Sequence, residues 1–238
     1  MTIKNIKSIF PDPMVVEPKD FESQTICVDT SIFLYKYCYG YQENFLKGFE
    51  SLLKQWKKSK LIFVFDGPPP VLKQKLIEKR KEIKEKSESK INITTGTISS
   101  LKELFDSKQI EYIVAPNEAE RICCSLNPDA VLSNDFDCFL FGCKKLIRNL
   151  KGTNYHVYSF DIILNEIKLS KEQFIELAIA CGTDYNLNGV KNYGPKKSLK
   201  YIQNNKSIQI LFDEDCFLAL KEINSKQLKE ASLNPQIE

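Results

Sequence analysis

The chain has 238 residues, a formal net charge of +3, and 42% hydrophobic against 27% charged residues. That length suits one large domain, or one domain with a small appendage, and the composition is that of a soluble globular protein. No apolar run is long enough to cross a bilayer and residues 1–10 do not read as a secretory signal, so the chain reads as intracellular.

Eight cysteines include no C-x-x-C pair. Most stand in apolar surroundings and read as reduced core residues, which argues against a disulfide framework and a zinc site. The one histidine, His156, has no partner motif for nucleophilic catalysis nearby.

In residues 1–10, Ile3, Ile6, Ile9 and Phe10 would share one face of a short amphipathic helix. Pro11, Pro13 and Pro18 then exclude regular structure until about Glu22. T-I-C-V (25–28) reads as a buried strand with Asp29 at its end, followed by an aromatic-rich helix over 30–39 that Gly40 breaks. A second helix over 43–57 places Phe45, Phe49, Leu52, Leu53 and Trp56 at helical spacing. L-I-F-V-F (61–65) is the strongest strand signal, apolar throughout as central parallel strands are. It too ends in an aspartate, Asp66, and G-P-P-P forbids its continuation.

Residues 71–86 have a helical pattern with charges on most faces and few apolar anchors, and 87–97 look mobile. A helix resumes over 98–104, and a strand at 112–114 leads into A-P-N-E-A-E-R (115–121). There Asn117 can cap a helix with Glu118 and Glu120 in its first turn. After a short buried strand at 130–132 come Asp135 and Asp137. Ligands of open α/β sheets sit beyond the carboxyl ends of strands, so this pair would face a cleft. Taken alone, each acidic pair also fits ordinary helix-dipole or turn chemistry. Aspartates after three strands are harder to ascribe to chance, because such a cluster repels itself unless cations compensate.

Strands at 145–147 and 155–158, joined by K-G-T-N, come next, then a helix capped by Ser170 that runs to Cys181 with Glu172 in its first turn. Asp184 lies on the loop beyond. Gly194-Pro195 opens a further helix with Lys196, Lys197 and Lys200 near its start. Backbone N–H groups at such a turn can take a phosphate and the lysines add charge, although a plain helix–turn–helix connection would look similar. Residues 208–238 read as helices of no evident chemistry. Carboxylates in a cleft with lysine around them, at 71–90 and 189–200, suit metal ions together with a polyanion. Hard oxygen donors favour Mg²⁺ or Mn²⁺.

Five motifs follow one another between about residues 25 and 202: I-C-V-D-T-S, V-F-D-G-P-P, A-P-N-E-A-E, S-N-D-F-D-C-F-L-F-G, and G-T-D-Y followed by Y-G-P-K-K. In that order they resemble the XPG-type structure-specific nucleases, the flap endonucleases and their relatives. The resemblance implies an α/β fold, a mostly parallel twisted sheet flanked by helices in a PIN-like 5′ nuclease domain. It also implies a helix-two-turn-helix DNA-binding element at about 170–204. Residues 1–165 would form the core, with a short helical arch at about 70–97, and 166–238 the second part.

By the same resemblance Asp29, Asp66, Glu118, Glu120, Asp135, Asp137 and Asp184 would hold two divalent ions, normally Mg²⁺, with Mn²⁺ able to substitute. Lys73 and Arg80, seven apart on one helical face, would meet the scissile phosphate. Tyr35 would stack on a base near the cut, its plainer reading being core packing. Gly194, Lys196, Lys197 and Lys200 would bind duplex DNA. The expected function is hydrolysis of flap, nicked or branched double-stranded DNA in the nucleus, or in the host nucleus if the chain is viral, with no membrane partner.

The chain also departs from the family. Thr2 stands where relatives carry glycine after the initiator methionine, and Asn192 replaces a glycine of the usual hairpin. The interval between Asp66 and Glu118 is short, which implies an arch without its helical cap. No clamp-binding peptide is recognisable. A junction-resolving relative, a PIN-like RNA nuclease and a non-catalytic DNA-binding module stay open; the last would be expected to have lost some of the seven acids, and none is lost.

Overall fold

A computed structural model of the chain describes residues 3–74, 76–78, 93–149, 154–225 and 232–233. The two apolar runs of the sequence become β2 (Thr25–Asp29) and β3 (Lys60–Phe65), paired in parallel. With β1 (Met14–Val16), β4 (Glu111–Val114), β5 (Ala130–Leu132), β6 (Lys145–Arg148), β7 (Tyr155–Ser159) and β8 (Ser232–Leu233) they form one sheet. Its order is β1-β7-β6-β5-β2-β3-β4-β8. The pairs from β6 through β5, β2 and β3 to β4 are parallel, and the outer strands β7, β1 and β8 run antiparallel to their neighbours.

Successive side chains of a strand point to opposite faces, and here both faces are buried. Ile26, Val28, Leu61, Phe63, Ala130 and Leu132 face one core, with α1 (Thr30–Tyr41), α2 (Leu46–Gln55) and α3 (Thr95–Ser107). Cys27, Ile62, Val64 and Val131 face the other. That second core is covered by α4 (Ala119–Ser125), α5 (Phe160–Ile167), α6 (Lys171–Cys181), α7 (Pro195–Asn205) and α8 (Glu214–Ile223). All eight cysteines are free, and only Cys38 is less than fully buried. Among the described residues no helix is long and apolar enough to cross a membrane.

Several elements differ from the sequence reading. The N-terminal segment forms only a 3-10 turn, Ile6–Ile9, because Asn5 takes a left-handed conformation (φ 54°) in front of it. Ile3 and Ile6 are nevertheless fully buried. The proline-rich stretch contains β1 and a 3-10 turn, Pro18–Phe21; an edge strand tolerates flanking prolines. Helix α1 runs through Gly40 to Tyr41, since one glycine costs a helix only about 1 kcal/mol. Thr94 caps α3, so residues 93–97, read as mobile, are ordered. The 208–238 stretch carries a strand, β8, besides α8. Of the arch, Val71–Lys73 is a 3-10 turn and residues 74 and 76–78 are helical. Its remainder, including Arg80, lies outside the described residues, as do Thr2 and most of the K-G-T-N turn.

Candidate active site

Because β5, β2 and β3 are adjacent and parallel, their carboxyl ends share one edge of the sheet. Asp29 closes β2 and caps α1, Asp66 follows β3, and Asp135 follows β5 at the cap of a 3-10 helix, Phe136–Phe141. Gly67 pinches this edge together. Its N–H donates to the Asn117 carbonyl at 2.6 Å, and a Cβ there would lie 2.1 Å from the Ala115 carbonyl oxygen. Asn117 is thereby engaged by Gly67, and Glu118, not Asn117, is the cap of α4, with Glu120 in the first turn.

The result is a cleft of about 510 Å³ lined by Asp29, Asp66, Glu118, Glu120, Asp135 and Asp184, with Tyr35 and Lys73 on its walls. Tyr35 is 56% exposed, so it is not a core residue. Asp137 does not line the cleft with Asp135. In a turn of three residues per repeat, positions i and i+2 diverge, and Asp137 is buried behind its neighbour. Its Oδ1 accepts the Ile3 N–H at 2.9 Å, while its buried Oδ2 has no hydrogen-bond partner.

Hydroxyls and backbone amides hold the other acids in place. Ser133 Oγ donates to Asp29 at 3.0 Å; Ser31 Oγ and the Ala119 N–H donate to Asp66 at 2.5 and 2.8 Å. Burial pushes the Asp29 carboxyl up to about 7, reinforced by Asp66 and Asp135. Burial and then neighbouring negative charge also raise Glu120 and Asp137 well above the usual carboxylate range. Asp135 is raised as well, chiefly by burial. So many acids cannot all ionise in one place without a cation.

A cation is supplied by the protein itself. The Lys73 ammonium is ion-paired to Glu118 Oε1, stands 3.6 Å from Asp184 Oδ2, and lies 4.9 Å from the centre of the Tyr185 ring. Burial would lower its pKa, but Tyr185, Glu118, Glu120 and Asp184 outweigh that and hold it well above the usual lysine value. In this arrangement no three acidic, histidine or cysteine groups among the described residues stand close enough to grip one metal ion. The donor chemistry nonetheless fits a hard divalent ion: every candidate ligand atom is a carboxylate oxygen, and one of them, Asp137 Oδ2, is buried without a partner.

Three residues of the site were not singled out from sequence. Ser133 precedes the acidic pair, Tyr185 completes G-T-D-Y beside Asp184, and Arg121 follows Glu120. Tyr185 is buried, and its hydroxyl donates to Glu118 Oε2. Burial pushes its phenol far above the usual range, so it remains a donor. Away from the cleft, Gly194 caps α7 with Pro195 as the first helical residue, and Lys196, Lys197 and Lys200 are exposed along its start. Lys197 Nζ lies 4.2 Å from the Tyr193 ring centre, and Asn192 takes the positive φ, 65°, that a hairpin glycine would supply.

The XPG N-terminal domain family matches residues 1–87, and the XPG I-region family matches residues 109–184. The chain belongs to the XPG family. The resemblance carried by the five motifs is thus borne out over both regions. Among XPG-family relatives, flap endonuclease 1 of Methanococcus aeolicus is 34% identical, over 74% of this chain and 60% of its own length. That of Methanosphaera stadtmanae is 28% identical, over 95% of this chain and 82% of its own. The catalytic core of Rad2 in complex with DNA substrate superposes with a TM-score of 0.71 at 29% identity, covering 90% of this chain and 73% of that one. The flap endonuclease-1 of Methanococcus jannaschii, at 22% identity, shares the fold with a TM-score of 0.70 over 96% of this chain and 86% of its own. The chain spans about three fifths of the length of most of the flap endonucleases it resembles. Flap endonucleases are divalent-metal-dependent enzymes.

Proposed function

We propose that the protein is a structure-specific DNA 5′ nuclease that hydrolyses phosphodiester bonds in flap, nicked or branched duplexes with the help of two Mg²⁺ ions, for which Mn²⁺ can substitute. The observation that carries this reading is the cleft itself: six carboxylates, brought from three adjacent strand ends, the start of α4 and the loop after α6, around one lysine. Asp29, Asp66, Glu118, Glu120, Asp135 and Asp184 would hold the ions from the cleft, and Asp137 from behind it. Bound there, the ions would polarise the phosphate and generate hydroxide from water near neutral pH.

The chain's own groups divide the remaining work. Lys73, already among the acids, would meet a phosphate oxygen arriving in the cleft, and Arg80 would act beside it. Tyr35 offers an exposed ring at the cleft wall on which a base can stack whatever its identity. Gly194, Lys196, Lys197 and Lys200 would grip duplex phosphates away from the cleft, using the N–H groups at the start of α7 and three exposed lysines. In this reading residues 1–165 form the nuclease core, and 166–238 the helix-two-turn-helix element and C-terminal helices packed on it, which also supply Asp184 to the cleft. The place of action would be the nucleus, or the host nucleus for a viral chain.

The test is cleavage of flap, nicked, gapped, four-way and single-stranded substrates with Mg²⁺, beside EDTA and the variants Asp66→Ala and Asp135→Ala. Cleavage is expected on at least one branched or nicked substrate and absent in EDTA. Both variants should lose it while still binding DNA, since removing negative charge lessens repulsion of phosphate. Cleavage by either folded variant at the wild-type rate, or in EDTA, would falsify the assignment.

A further inference from the structure

Arg121 follows the two acids of A-P-N-E-A-E, and its buried guanidinium reaches the far end of α8. Nη2 donates to the Glu222 carbonyl at 2.9 Å and to the Glu222 carboxylate at 3.1 Å; Nη1 donates to Ser225 Oγ at 3.3 Å. The guanidinium carbon lies 4.6 Å from the centre of the Phe141 ring and 5.6 Å from that of Tyr185. Two further contacts point back toward the cleft. Nη2 is 3.4 Å from the Tyr185 hydroxyl, and Nε is 3.8 Å from Glu118 Oε2.

Glu118 is therefore divided between two environments. Its Oε2 receives the Tyr185 hydroxyl and faces the Arg121 charge, inside the protein. Its Oε1 faces the cation of the cleft, which here is the Lys73 ammonium. A carboxylate free to rotate could present either oxygen, or both, to an incoming ion. One whose inner oxygen is fixed by a phenol, itself fixed by a guanidinium, can present only the other.

We propose that Tyr185 and Arg121 are positioning residues that hold Glu118 Oε2, so that Oε1 alone is offered to a divalent cation in the cleft. This rests on the reading of Glu118 as a metal ligand. Hydrogen bonds behind a ligand commonly alter metal affinity by about 10–100-fold. Removing the Arg121 charge would also relieve some repulsion of a cation. That gain is the smaller effect, because the guanidinium is already neutralised by the Glu222 carboxylate. Loss of orientation should dominate.

The experiment is calorimetric titration of the full chain with Mn²⁺ in the absence of DNA, beside thermal melting. Tyr185→Phe keeps the ring and removes only the hydroxyl; it should bind Mn²⁺ about 10–100-fold more weakly, and Arg121→Met likewise. Arg121→Lys keeps a charge but not the fork, and should fall between Arg121→Met and the wild type. The control is Glu176→Gln. Glu176 is a buried carboxylate that holds Ser207, Ile208 and Gln209 well away from the cleft. It should lower the melting temperature and leave Mn²⁺ affinity unchanged. Wild-type Mn²⁺ affinity in Tyr185→Phe overturns the proposal, and should Arg121→Met fail to fold, Tyr185→Phe alone decides. Absence of Mn²⁺ binding by the wild type would instead remove the metal site itself, and the proposal with it.

Discussion

Lys73 stands 3.6 Å from Asp184 although the two come from opposite sides of the site, one from the start of the arch and the other from the loop after α6. The ammonium joins these segments across an acidic cleft and offsets charge that would otherwise drive them apart.

Lys73→Ala should therefore have two separable consequences. In chelator the variant should melt below the wild type, and saturating Mg²⁺ should raise its melting temperature by more than it raises the wild type's. With DNA and Mg²⁺, its single-turnover cleavage rate should fall on the order of 100-fold, with a smaller loss of DNA affinity, because the charge is needed most as the transition state forms. Arg80→Ala should behave alike, and Lys86→Ala should not. Equal behaviour of all three would remove the special role of Lys73.

The pH dependence of stability follows from Asp29. Its folded-state pKa of about 7 lies above its ordinary value, so between about pH 4 and 7 the folded chain binds more protons at this position than the unfolded chain does. That contribution is fully present below the ordinary pKa and is lost as pH rises through 7. In chelator, the melting temperature should gain less between pH 4 and 7 than the rest of the protein would dictate. Asp29→Asn should abolish this contribution, so the difference between variant and wild type should widen toward pH 7. A constant difference across that range would contradict the assignment.

Tyr35→Ala should weaken binding of substrates that place an unpaired or splayed base at the cleft by roughly 5- to 100-fold, the range expected for one stacking contact. Tyr35→Phe should retain affinity, since the ring and not the hydroxyl does the stacking. Fluorescence of a 2-aminopurine placed next to the cut would report the contact directly. Equal quenching in Tyr35→Ala and wild type would place the base elsewhere.

Replacing both Lys196 and Lys197 by alanine should lower duplex affinity and flatten its salt dependence. The slope of log affinity against log salt should decrease by about 0.9 for each phosphate that is no longer neutralised. An unchanged slope would take the start of α7 out of the interface.

The sequence reading anticipated those parts of the site that rest on regular structure. Asp29 and Asp66 could be placed because each follows an uninterrupted apolar strand, and the alternation of Ile26, Cys27 and Val28 between two cores needs no more than a period of two. Glu118 and Glu120 could be placed at a helix start within one residue. Lys73 was assigned to the site by the family resemblance alone, and nothing in the residues themselves placed it inside the cleft. A lysine in a stretch dense with charge reads as solvated, and only the return of Glu118 and Asp184 from distant parts of the chain buries it. Tyr185 and Arg121 were hidden for a related reason: a tyrosine or arginine next to acidic residues carries no periodic signal, and their importance lies in contacts across the fold. Strands β1 and β8 are three and two residues long, too short for a period to emerge, and pairing alone creates them. That Asp137 would turn away from the cleft was not legible, because nothing in so short a stretch announces the 3-10 turn that follows Asp135.

The acids lining the cleft also fix an order of events during synthesis. Asp29 is made well before Asp184, which enters the site only after β5, β6, β7 and α6 have been made, and the parallel pairing of β2 with β5 must wait for a strand translated long after it. No nascent fragment ending before Asp184 carries the full set of carboxylates around Lys73. The set of acids around the cleft is thus complete only once the chain has been made through Asp184, and a product terminated before it would lack one wall of the site.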